Sequence, residues 1–359
     1  MAKETLICGV QQVGVGVFDV VKSYNWYIKA FGCDIMVTDA EGVAERMLPY
    51  TGGKPRPRRA ILAINPRGGG GFEVWQPKDN HITPPAVPAQ IGDLGITICK
   101  IKATDVRKAY DHIESVGGAE FLGGISTAPY GKQHFYMKDP WGNMFEVVED
   151  DYVFNDIESY CTGGTHGAVI GVSDMDATLA FYKALLGYDK VEFDAKGNFP
   201  DLASVPGGTG SFRRVLVTRT EAPKGAFSDM YGTSCIEFVQ ALDRTPAKTF
   251  DGRWWGDPGF IQLCFDVVNM EGMHEKVKAL GQDFVCDGGV DFKMAEADGH
   301  FTYVEDPDGT LIELVETFRV PVYKKLGIYL DLRKRDSSKK LPRLVLKAMR
   351  LLSVKSIKE

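Results

Sequence analysis

Apolar and polar positions along the chain recur in one order: an apolar strand, a helix with an aromatic face, then further strands. Four short strands show the repeat: Phe72-Glu73-Val74-Trp75-Gln76, Phe145-Glu146-Val147-Val148-Glu149, Ile236-Glu237-Phe238-Val239-Gln240 and Ile312-Glu313-Leu314-Val315-Glu316. Each reads apolar, Glu, apolar, apolar, then Gln or Glu. Two follow a matching turn, Asp139-Pro140-Trp141-Gly142-Asn143 and Asp306-Pro307-Asp308-Gly309, in which proline presets φ and glycine relaxes it.

Each such strand lies downstream of a strand and helix pair. Residues 13–17 lead to a helix over 19–31 and Gly32, and 168–172 lead to a helix over 174–186 and Gly187. In these, Asp19 and Asp174 are predicted N-caps and the glycines are stops. Tyr24, Tyr27 and Phe31 share one helix face, which predicts core packing. Residues 96–101 with a helix over 105–116, and 263–267 with a helix over 269–280, resemble each other more than the first pair. The order is therefore A-B-A-B, four βαβββ modules in an α+β chain. The expected modules are 5–80, 92–150, 163–244 and 258–318, paired in sequence into domains 1–150 and 163–318. Residues 319–359 form a tail, predicted helical over 342–354 with Leu341, Val345, Ala348 and Leu352 as its apolar stripe.

Composition changes this picture little. A chain of 359 residues suits two domains. No apolar stretch is long enough to span a bilayer, and the N-terminus has no basic run followed by an apolar one, so a cytoplasmic location is expected. Seven scattered cysteines, none in CxxC, are expected reduced and exclude a zinc ribbon or thioredoxin motif. Net charge is −6, but residues 319–359 hold 13 Lys/Arg against 3 Asp/Glu, which leaves the body strongly acidic. That distribution argues against a nucleic-acid partner. The basic tail is expected to dock on the acidic body, with an anionic membrane surface as the alternative.

The N-capped helices with paired aromatics, the Asp-Pro-x-Gly turns and the strand Glu resemble the vicinal oxygen chelate superfamily. It includes glyoxalase I, bleomycin and fosfomycin resistance proteins, methylmalonyl-CoA epimerase and extradiol dioxygenases. The resemblance spans residues 5–318. It implies two domains, each a curved mixed sheet around a cleft, with ligands from the first and last strand of each module. A Glu inside an apolar strand is costly to bury unless paired or cation-bound, which agrees with this. The family register selects Gln12, Gly167 and Gln262 on first strands, and length matching selects Gly95.

His166 is one residue out of register. Strict alternation puts it on the helix side, and a bulge would turn it into the cleft. In the second case the second domain would offer His166, Glu237, Gln262 and Glu313 to a metal, with Glu313 and Glu237 as catalytic carboxylates. The first domain, with Gln12, Glu73 and Glu146, would be a degenerate cleft. The resemblance then implies a metal-dependent lyase or isomerase of glyoxalase I type on a small-molecule substrate, with Zn, Ni, Co or Mn, and Fe less favoured. A metal-free binding protein of bleomycin-resistance type and an extradiol dioxygenase are the alternatives. Either a monomer or a homodimer is compatible with this reading.

Overall fold

A computed structural model describes residues 4–290, 292–294, 297–323 and 328–358. The first module comprises β1 (Leu6–Gly16), α1 (Val20–Phe31), β2 (Ile35–Ala44), β3 (Arg56–Ile64) and β4 (Gly71–Pro77). The second comprises β5 (Gly95–Ala103), α2 (Val106–Val116), β6 (Glu120–Thr127), β7 (Gln133–Lys138) and β8 (Met144–Glu149). The third comprises β9 (Thr165–Gly171), α3 (Met175–Leu186), β10 (Lys190–Gly197), β11 (Phe212–Thr218), a short α4 (Ser228–Tyr231) and β12 (Cys235–Ala241). The fourth comprises β13 (Gly259–Val268), α5 (Met270–Ala279), β14 (Cys286–Asp287), β15 (Phe292–Met294), β16 (Ala297–Glu305) and β17 (Leu311–Tyr323).

The helix signals act as expected. Asp19 accepts from the Lys22 amide and Asp174 from those of Asp176 and Ala177, while Gly32 (φ 60°) and Gly187 (φ 72°) end their helices in the left-handed conformation. Tyr24, Tyr27 and Phe31 are fully buried in a core that the helices of all four modules share. The turn aspartates anchor that core. Tyr27 donates to Asp139 (2.7 Å) and Tyr182 to Asp306 (3.2 Å), so the first module's helix grips the second module and the third grips the fourth.

The sheets are paired differently from the expectation. One runs β14-β16-β17-β13-β1-β4-β3-β2, with β15 and the tail strand β18 (Ile328–Asp331) added, and the other runs β10-β11-β12-β9-β5-β8-β7-β6. Modules one and four thus build one curled sheet, and modules two and three build the other. Sequence-adjacent modules share a helix layer in two of the three cases, but only modules two and three share a sheet. The joints are β1 with β13 and β5 with β9, both antiparallel. Residues 150–164, expected to separate two domains, instead link β8 to β9 within one sheet.

The tail docks on the body. Helix α6 (Arg343–Lys347) and a 3-10 turn over Ala348–Leu352 replace the single longer helix expected. Leu341 and Leu346 are buried, whereas Val345 of the expected stripe is 37% exposed. The Val354 amide donates to the Asp34 carbonyl, and Asn25 bonds both backbone groups of Ile357. Residues 324–327 and 359 of the tail lie outside the described residues. The cysteines are all free. Among the described residues no helix is long and apolar enough to cross a membrane.

Candidate active site

Strand pairing puts the sequence-selected residues into two clefts with matching register. In the first, Gly14 of β1 lies opposite both Glu73 and Gln262, Gln12 lies opposite Cys264, and Cys264 lies opposite Glu313. In the second, Val169 of β9 lies opposite both Glu237 and Ile98, Gly167 lies opposite Lys100, and Lys100 lies opposite Glu146. Glu146 therefore occupies the place of Glu313, Glu237 that of Glu73, and Gly167 that of Gln12. The counterpart of Gln262 is the buried Ile98 rather than Gly95, because the segment from first to last strand is three residues shorter in the second module than in the fourth.

The expected set His166, Glu237, Gln262 and Glu313 is accordingly not brought together. Gln262 and Glu313 join Gln12 and Glu73 in the first cleft, while His166 and Glu237 lie in the second with Glu146. The cause is the β1–β13 and β5–β9 pairing. His166 does fall at a bulge, between the Lys100–Gly167 and Ile101–Thr165 pairs. Its Nε2 lies 3.7 Å from Asp150 Oδ2, and its buried Nδ1 has no partner. Burial, aided by the nearby Lys102 and Lys100 charges, pushes its pKa down to about 4, against the pull of Asp150.

The second cleft is filled by its own charges. The buried Lys100 ammonium pairs with Glu146 and, at 2.8 Å, with Glu237. Arg214 pairs with Glu237 (2.7 Å) and Asp201 (2.8 Å), and His134 Nδ1 lies 2.7 Å from Glu146 Oε1. Burial opposes the charges of Lys100, Arg214, Glu146 and Glu237. Lys100 and His134 nevertheless hold the Glu146 carboxyl well below its ordinary range, and Arg214 and Lys100 lower that of Glu237. The sequence carried a signal for this in Lys100, a charge inside the apolar strand Ile98-Cys99-Lys100-Ile101, as costly to bury as the strand Glu.

The first cleft is open. A cavity of about 330 Å³ is lined by Gln12, Glu73, Trp75, Trp255, Tyr303 and Glu313, with Arg46 and Arg58 also on its wall. Gln262 Nε2 donates to Glu73 Oε2 (2.8 Å) and approaches Glu313 Oε2 (3.3 Å), and Gln12 Nε2 approaches the same Glu313 oxygen (3.3 Å). Burial and the Glu73 charge push Glu313 up to about 8, against hydrogen bonds from Cys264, Tyr303 and Gln12. Glu73 is also raised by burial, with Arg58 and Gln262 opposing. Among the described residues no cation is ion-paired with either carboxylate as Lys100 is with their counterparts; Arg58 acts on Glu73 without contact. At the positions of Lys100, Arg214 and His134 the first sheet carries Cys264, Ala60 and Phe301.

These residues fit a divalent cation in part. Two carboxylates converge, and the Gln12 Oε1 oxygen is buried with no hydrogen-bond partner. Gln262 fits less well, because its Oε1 already accepts from Trp255 Nε1 (2.9 Å). Among the described residues no group of three His, Cys, Asp or Glu side chains is placed to hold a metal, so any such site here depends on amide oxygen. Trp255 and Tyr303 escaped the sequence reading; Trp255 lies in the linker between modules three and four, outside the repeat.

A family profile described as Glyoxalase/Bleomycin resistance protein/Dioxygenase superfamily matches residues 9–147 and 164–314. Among solved structures, glyoxalase I from Zea mays is similar with a TM-score of 0.52 and 15% identity, covering 87% of this chain and 92% of that one. A putative dioxygenase from Bacillus subtilis is similar with a TM-score of 0.53 and 13% identity, covering 88% and 86%. At these identities the likeness is one of fold. No curated protein matches the sequence.

Proposed function

The chain belongs to the Glyoxalase/Bleomycin resistance protein/Dioxygenase superfamily, and from that premise we propose that the first cleft is the active site of a metal-dependent lyase or isomerase of glyoxalase I type. The observation that carries this reading is the pairing of buried Glu313 with half-buried Glu73 beside an open cavity, with no Lys, Arg or His ion-paired to either carboxylate among the described residues. Glu73, Glu313 and Gln12 Oε1 would hold the ion, with Gln262 at the fourth equivalent position. An all-oxygen donor set suits Mn or Mg better than Zn, Ni or Co. When bound, the ion supplies a Lewis acid that polarises a substrate oxygen.

The remaining chemistry belongs to the chain. Glu313 is the candidate base, placed to take a proton at Oε2 from a carbon next to a carbonyl, with Glu73 opposite it. Trp75, Trp255 and Tyr303 exclude water from the inner wall, while Arg46 and Arg58 offer positive charge to a substrate's polar end. No histidine stands at the four first- and last-strand positions, which sets the two-His iron site of an extradiol dioxygenase aside. A metal-free binding cleft of bleomycin-resistance type is the second reading, and the Gln262 amide turned toward Trp255 favours it.

Metal content by mass spectrometry, after loading with Mn, Mg and Zn, separates the two. About one ion per chain is expected in the wild type, lost in Glu313→Gln and kept in Glu237→Gln and His166→Ala, because only the first change touches the open cleft. A wild type that retains none of the three ions would favour the binding cleft.

A further inference from the structure

We propose that Trp255 is a positioning residue that sets how well the first cleft takes a divalent cation, by holding Gln262 with its carbonyl oxygen turned away from the carboxylates. The inference rests on the reading of that cleft as a cation site. An indole N–H can only donate, so the atom facing Trp255 Nε1 at 2.9 Å is the amide oxygen of Gln262. That leaves Gln262 Nε2 pointing at Glu73 and Glu313. In this orientation the amide satisfies carboxylate oxygens and offers a cation nothing.

The arrangement is stiff on both sides. Trp255 is 7% exposed and packs edge-on against Trp75, with ring centroids 4.7 Å apart. Its amide donates to the Tyr50 carbonyl (2.8 Å), and its carbonyl accepts from Arg56 (2.7 Å), a guanidinium itself paired with the buried Asp257. Gln262 is fully buried and lies across Gly14, where a Cβ would come within 2.6 Å of its amide carbon. Turning the amide over would set its N–H groups against the indole N–H, two donors with no acceptor between them. It would also remove the 2.8 Å bond to Glu73. Gln262 can therefore offer its oxygen to a cation only when the indole donor is gone.

The test is a Mn²⁺ titration of the full chain, followed by calorimetry and by the electron paramagnetic resonance of the bound ion. Trp255→Phe keeps an aromatic ring against Trp75 and removes the donor; Trp255→Met fills the wall without one. Both should bind Mn²⁺ about tenfold more tightly than the wild type, the scale of one buried hydrogen bond no longer opposing the ligand. The gain should vanish in the Gln262→Met background, because it passes through that amide. Equal affinity in wild type and both Trp255 variants would overturn the inference and leave the cation site standing. A gain that persists in Gln262→Met would also overturn it, since general loosening would then be the cause. No Mn²⁺ bound by any variant would refute both the cation site and the role of Trp255.

Discussion

The two clefts share a backbone register and a facing pair of glutamates, buried in the second and half-buried at Glu73 in the first, yet they resolve the cost of those charges in opposite ways. In the second cleft Lys100 and Arg214 supply cations from the chain itself, and the His134 imidazole adds a hydrogen bond to Glu146. In the first, Cys264, Ala60 and Phe301 stand at those positions and the carboxylates face a cavity. Burying an ion pair is tolerable when partner and hydrogen bonds come with it, and burying like charges together is not. The same strand position is thus structural in one sheet and unfinished in the other. An unfinished charge balance beside a cavity marks where a ligand belongs.

The largest effect should come from breaking the finished side. Lys100→Met would leave Glu146 and Glu237 buried with one charge uncompensated. We expect a loss of about 3–5 kcal/mol in chemical denaturation, the usual consequence of removing one member of a buried ion pair. Added Mn²⁺ should restore part of it, since the emptied space lies between two carboxylates and an imidazole. A loss below about 1 kcal/mol would mean that Arg214 and His134 suffice and that Lys100 is not the stand-in cation.

The repeat and its caps were legible because they are local: an Asp before each helix of the first and third modules, a Gly after it, an alternating strand with a Glu. Fold class followed from those residues. Which module pairs with which was not legible. All four first strands carry the same apolar pattern, so nothing local distinguishes β1 pairing with β13 from β1 pairing with β5. That one choice decided the site. It moved Gln12 and Glu73 next to Gln262 and Glu313, and it left His166 and Glu237 in the other sheet. The partners of the second cleft were hidden for another reason. Lys100 stands out in its apolar strand, but Arg214 reads as an ordinary strand charge, and neither reveals its partner until the two sheets' registers are compared.

A smaller effect of opposite sign is expected on the unfinished side. Burial beside Glu73 raises Glu313 to about 8, from an ordinary value of 4.5. In metal-free protein a raised carboxyl contributes full stability below the unfolded value, and loses it as pH climbs from 4.5 towards 8. Glu313→Gln cannot ionise and escapes that loss. At pH 7 the metal-free variant should be more stable than the wild type by about 1–3 kcal/mol, a range kept below the full linkage value because Glu73 shares the titration. The difference should shrink towards pH 4.5. In denaturation curves, a variant less stable than the wild type at pH 7 would show that the pair is already neutralised, and would erase the contrast between the clefts.

The smallest effect concerns His166, the residue on which the sequence reading forked. It sits at the bulge of β9 beside Asp150 and Lys102, and burial holds its pKa down to about 4. The unfolded chain takes up this proton near 6.5, whereas the folded chain stays neutral to about pH 4. The unfolded state therefore binds more protons across that window, and stability is full above 6.5 and falls as pH drops towards 4. The nearby Asp150 charge opposes part of this depression, so we expect about 1–2 kcal/mol from this residue between pH 7 and pH 5. His166→Gln should flatten that part of the urea-denaturation profile. It should leave Mn²⁺ affinity unchanged, because His166 belongs to the sheet whose charges are already matched. A lowered affinity in His166→Gln would place the imidazole in the cation site after all, and the division between a finished and an unfinished cleft would fail.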